Sequence, residues 1–176
     1  MHTYGSCSIV LGLLAVPLMS HAQQVSYPDT ADVATLDGII NAYYEVVSVP
    51  AGRAADRARD ESIHHPSALV AISGVDPNGN PTLRTMTLAQ YHEDLGGPRD
   101  EGFFEWEIHR VTERFGNVAH VWSTYASSDE PNGAVRSRGI NSIQLYFDGD
   151  RWWITSWIFD TERPGNEIPS RFLPGQ

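Results

Sequence analysis

A change of period near Phe103 restricts the fold of this chain more than any other feature. From there onward apolar and polar residues alternate in steps of two, as in half-buried strands. Phe103 to Thr112 and Val118 to Ser127 flank the turn Phe115-Gly116-Asn117, and Ile140 to Phe147 and Trp152 to Asp160 flank Asp148-Gly149. Two long hairpins are therefore expected, joined by the loop Ser128 to Arg138. Before Phe103 the spacing is helical. Val33, Leu36, Ile39, Ile40, Tyr43, Tyr44 and Val47 recur at three- and four-residue steps, which predicts one helix started by Thr30 or Asp32 and ended near Pro50-Ala51-Gly52. A second, more polar helix is expected from about Arg53 to Ile63, stopped by His64-His65-Pro66. Ala68 to Ser73 and Leu83 to Met86 read as short strands around the turn cluster 76–81, and Thr87 caps a short helix through Leu95. Leading helices followed by long antiparallel strands predict an α+β domain with helices packed on one sheet face.

The N-terminus is read differently. The first 22 residues carry no acidic or basic side chain, and the apolar run Ile9 to Met19 precedes Ser20-His21-Ala22, a small-x-small cleavage pattern. Eleven apolar residues fall short of the roughly 20 that a spanning helix needs, so no membrane anchor is expected. Residues 1–22 are thus read as a signal peptide cut near Ala22, 23–30 as a polar leader, 31–162 as one domain and 163–176 as an extended tail. A secreted or periplasmic location follows. Cys7 is the only cysteine and lies before the cut, so the mature part holds neither disulfide nor thiolate. Its net charge of −10 makes nucleic acid a poor partner, and all 12 basic residues are Arg, which excludes lysine chemistry.

Ile63-His64-His65-Pro66-Ser67-Ala68 and Asp148-Gly149-Asp150-Arg151-Trp152-Trp153-Ile154, in this order of elements, resemble the nuclear transport factor two-like superfamily, in its SnoaL-like branch. The resemblance implies a cone: a curved antiparallel sheet wrapped around three N-terminal helices, with a pocket at the open end. Members include dehydratases, isomerases, hydrolases and proteins without known activity, so the fold does not name a reaction. Tyr43 sits where the steroid-isomerase branch has its tyrosine. The strand that would carry the base of that branch, Ala68 to Ile72, contains no carboxylate.

Strand parity gives the candidate site. With a two-residue turn at Asp148-Gly149, Asn141 and Phe147 share the helix-facing side with Ser156 and Asp160. Asp160 is the candidate catalytic acid, with Tyr43, Trp106, Tyr125, Asn141 and Ser156 as binding residues around a small, largely apolar molecule. The same three polar residues of the second hairpin could instead end the strands, solvated or bonded to backbone. Glu105, Glu107 and His109 alternate with His120 beside them, a set with metal-ligand chemistry. The alternative face, Phe104, Trp106 and Ile108, suits the core better, so the charged set is placed outside and neither metal nor cofactor is expected. Trp153, Trp157, Phe159, Ile140 and Tyr146 would form an apolar outer face, for which homodimerisation is expected. An enzyme, a non-catalytic binder, and a dimeric scaffold with a filled cone all remain open at this stage.

Overall fold

The structure is a computed structural model that describes residues 26–175; the expected signal peptide and its cleavage point lie outside the described residues. Elements run α1 (Thr30–Val33), α2 (Leu36–Val47), α3 (Arg57–Ile63), β1 (His64–Val75), β2 (Pro81–Thr87), α4 (Leu88–Leu95), β3 (Phe104–Phe115), β4 (Val118–Ser128), β5 (Ser137–Phe147) and β6 (Trp152–Thr161), with a 3-10 turn at Ser170–Phe172. The helix expected from Val33 to Val47 is broken in two. Asp29 caps α1, and the Thr35 hydroxyl accepts the Gly38 amide at 2.9 Å to start α2. Asp32 is free of capping and pairs with Arg59 at 2.8 Å. Thr87 and Gln90 form a reciprocal capping box on α4, as the sequence predicts for its start.

The six strands form one curved sheet in the order β2-β1-β6-β5-β4-β3. All neighbours are antiparallel except β1 and β6, so the sheet is mixed. Helices α2 and α3 lie on the inner face. Ile39, Ile40, Tyr43, Tyr44 and Val46 of α2 and Ile63 of α3 pack against Val70, Val121, Ile143, Leu145, Ile154 and Trp157. The α+β domain expected from the order of elements, and the cone that the resemblance implies, are thereby present.

Two bulges set which residues face inward. Phe147 pairs with Trp152, so residues 148–151 form a four-residue loop and not the two-residue turn expected. That loop preserves the expected parity as far as Leu145 opposite Ile154. The next pair is Gln144 with Ser156, leaving Thr155 as an extra residue. Beyond it every β6 side chain changes face: Trp157 and Phe159 turn inward, and Ser156, Ile158 and Asp160 turn outward. On β3, Glu107 pairs with Tyr125 and His109 with Thr124, so Ile108 is the extra residue. Glu105 and Glu107 face inward, while His109 shares the outer face with His120 and Trp122.

Candidate functional site

The inner face holds a polar chain inside an otherwise apolar core. Arg110 grips Glu107 with Nε and Nη2 at 2.9 and 2.7 Å. The Ser123 hydroxyl donates to Glu107 in a short contact. Because that proton is committed, the Tyr44 hydroxyl 2.6 Å away must donate to Ser123. Tyr44 in turn accepts from Asn141 Nδ2 at 3.2 Å, and Asn141 Oδ1 accepts from Tyr43 at 3.2 Å. This fixes the amide orientation. Nδ2 also points at Glu105 Oε1, 3.3 Å away.

Glu105 is the end of the chain, and it differs from Glu107 in one respect. Glu107 has a bidentate guanidinium, whereas Glu105 has no cation in ion-pair contact among the described residues. Burial pushes its carboxyl up to about 7, against the opposing Asn141 hydrogen bond and the charge of Arg99. Burial likewise holds Tyr43 and Tyr44 well above the usual phenol range, so both remain donors at neutral pH. Glu105 lies between two adjoining chambers. One, of about 210 Å³, is walled by Tyr43, Tyr91, Arg99, Phe103, Asn141, Trp157 and Phe159. The other, of about 260 Å³, is walled by Phe103, Tyr125, Ser127, Arg136, Phe159 and Thr161. Each is smaller than the roughly 300–1,000 Å³ of a drug-sized site.

Behind the Trp157 wall sits a second buried polar group. Trp157 Nε1 donates to His64 Nε2 at 3.1 Å, which makes that nitrogen the acceptor and leaves the ring proton on Nδ1. Nδ1 lies 2.9 Å from the Asp60 carbonyl and 3.2 Å from its carboxylate. His92 of α4 brings Nε2 to 3.0 Å from the other carboxylate oxygen, close enough for electrostatic contact but not aligned for a hydrogen bond. Burial pushes Asp60 up, yet the contacts with His64 and His92 prevail and take it down to about 2. His64, at the end of α3, thus binds the Asp60 carbonyl and also positions Trp157.

Of the expected site residues, Tyr43, Asn141 and Tyr125 are brought to the inner face. Asp160, Ser156 and Trp106 are not. Asp160 stands opposite Ile140 on the outer face and pairs with Arg163 at 2.6 Å. Ser156 is turned outward with it, and Trp106, opposite Ala126, also points outward. The physical reason for the first two is the Thr155 bulge, which inverts β6. For Trp106 it is that the β3 bulge lies C-terminal to the residue, so the strand enters with its glutamates inward. The charged set Glu105, Glu107, His109 and His120 is split for the same reason, two inside and two outside. The outer apolar face is corrected too, since Trp157 and Phe159 belong to the core. A cavity of about 450 Å³ does exist on the outer side, between Trp122, Ile140, Ile158 and the tail residues Ile168 and Phe172. Its larger volume does not make it the better site, because Asp160 and Glu162 there are each held by an arginine and the Glu167 carboxyl is lowered by the Gly165 amide that it accepts.

Glu105 itself carried a signal in the sequence. Ser123 and Ser127 interrupt the apolar side of β4, and an inner face with small hydroxyls there leaves room for acids from the paired strand.

No family model and no curated protein matches this chain. Solved structures do. The chain is similar to the beta subunit of a candidate aromatic-ring-hydroxylating dioxygenase from Novosphingobium aromaticivorans, with 15% identity, 81% of this chain and 95% of that chain covered, and a TM-score of 0.51. A candidate calcium/calmodulin-dependent kinase II association domain from Exiguobacterium sibiricum gives 13%, 74%, 93% and 0.50 in the same order. An NTF2-like protein of unknown function from Shewanella baltica gives 17%, 71%, 89% and 0.44. What these likenesses show is the fold: this chain shares with the dioxygenase beta subunit and the association domain an α+β architecture of N-terminal helices on a curved sheet.

Proposed function

We propose that this chain is an exported cone protein that binds a small, largely apolar molecule against Glu105 and moves a proton on it. The observation that carries this reading is a buried carboxyl, brought near neutrality, at the junction of two chambers with aromatic walls. A group with pKa near the working pH can both take and return a proton within one turnover. Asn141, fixed by Tyr43 and Tyr44, aims its amide at that carboxylate and holds it in place. The walls supply affinity by burial of apolar surface. Isomerisation, dehydration and hydrolysis of a small substrate all draw on this chemistry, and the SnoaL-like branch remains our assignment within the superfamily. Export rests on the apolar run ending at Ala22. Homodimerisation rests on the outer sheet face, where Leu69 and Leu83 are 59% and 62% exposed beside Ile158.

Hydrogen–deuterium exchange α to the carbonyl of cyclohexanone, followed by NMR in heavy water, tests the proton-transfer role. The protein should accelerate exchange over buffer, and Glu105→Gln should lose about 100-fold or more of that acceleration. Equal exchange in both proteins, or none above buffer, would remove Glu105 from this role.

A further inference from the structure

The chamber of about 210 Å³ has one cation on its wall, Arg99, and it is in no ion pair among the described residues. Seven of the 12 arginines, including Arg110, Arg136 and Arg163, form ion pairs with carboxylates. Arg99, the arginine that lines the chamber of about 210 Å³, has no carboxylate at ion-pair distance among the described residues. Residues 1–25 hold no Asp or Glu that could supply one. Its guanidinium lies 4.8 Å from the Phe103 ring centroid, and its carbonyl accepts the Gly52 amide at 2.8 Å. The side chain is half-buried, so part of its hydration is already lost. A guanidinium in that state keeps donors in a planar fork suited to a carboxylate.

The remaining lining favours the same ligand. Glu105 is the only carboxyl group on the wall of this chamber. Resting on the reading of the chamber as a ligand site, we propose that its ligand is a small aromatic or alicyclic carboxylate, the carboxylate held by Arg99 and the ring enclosed by Tyr91, Phe103, Trp157 and Phe159. The domain's net charge of −10 does not oppose this at short range. Charges more than a Debye length away, about 8 Å at physiological salt, are largely screened, while the partly buried Arg99 is not. The size of the chamber limits the ring to a monocycle or a compact bicycle.

Phenylacetate and its neutral isostere phenylacetamide separate this proposal from the ligand-site reading beneath it. Binding is followed by tryptophan fluorescence and confirmed by calorimetry on the wild type and on Arg99→Gln, with circular dichroism as the check on folding. The expected result is a preference for phenylacetate of about tenfold or more in the wild type, abolished by Arg99→Gln with amide affinity little changed. Equal affinity for both probes in the wild type, or a carboxylate preference that survives the substitution, overturns the proposal while leaving the ligand site standing. No binding of either probe to the wild type overturns both.

Discussion

Glu105 and Glu107 are two residues apart on one strand face, but only Glu107 is held by a guanidinium, and Glu105 is raised by burial. The consequence is a pH dependence of stability with a defined sign. Glu105 is raised from 4.5 to about 7 in the folded protein, so between those values the folded state binds more protons than the unfolded state. Its contribution is full below about pH 4.5 and is lost as pH rises through 7. Asp60 acts oppositely: lowered from 3.8 to about 2, it stabilises above 3.8 and loses that contribution as pH falls toward 2. Glu105→Gln should therefore flatten the decline between pH 4.5 and 7. At pH 8 the variant should be more stable than the wild type by up to about 3 kcal/mol. Urea unfolding at pH 4.5 and pH 8 measures this; stability curves that stay parallel would show that the buried carboxyl is not titrating in that window. The acid on the inner face was written in the sequence as Glu105, but its orientation was not, because one extra residue at Ile108 decides what shares its side.

At the scale of elements, the two bulges and one close approach shape the cavity. Gly139 of β5 pairs with Tyr125 of β4, and a Cβ there would lie 2.5 Å from the tyrosine hydroxyl and 2.4 Å from the Asp160 carbonyl. The ring lies across the glycine, with its hydroxyl 3.3 Å from Thr161 Oγ1. Gly139→Ala should force Tyr125 into the adjoining chamber and destabilise the fold by about 1–3 kcal/mol, the usual range for overpacking. Thermal unfolding checks the first effect, and loss of probe binding without global unfolding checks the second. An unchanged melting temperature would mean that the strands part more easily than their register implies. The helices were legible from capping and spacing: Thr87 reads directly as a helix start, and Ile39, Ile40, Tyr43 and Tyr44 read as a buried face. The break between α1 and α2 was not, because Thr35 sits inside an uninterrupted apolar spacing and only its bond to the Gly38 amide ends one helix and begins the next.

For the whole molecule, the outer sheet face and the N-terminus set the expectations. Leu83, Leu69 and Ile158 occupy adjacent strands β2, β1 and β6; Leu69 and Leu83 are well exposed, while Ile158 borders the cavity closed by Phe172 and the tail. We expect the mature protein to sediment and scatter light as a dimer at micromolar concentration, and Leu69→Glu with Ile158→Glu to yield a folded monomer. A wild-type monomer at all concentrations would place this face in solvent. Protein recovered from its native host should have an intact mass starting at Gln23; a mass that retains Met1 would exclude cleavage.

The sequence by itself determined the order of elements, the two hairpins and the buried face of α2, because local spacing and turn chemistry act over a few residues; the meeting of Tyr43 with Asn141 followed only with the cone that the resemblance implies. It also determined that no lysine takes part. Only the tertiary structure decided that Glu105 rather than Asp160 faces the cavity and that Trp157 rather than Trp106 forms its wall. Side chains alternate with a period of two, so a single unpaired residue inverts everything beyond it. Neither Ile108 nor Thr155 looks unusual until its strand is paired with a neighbour.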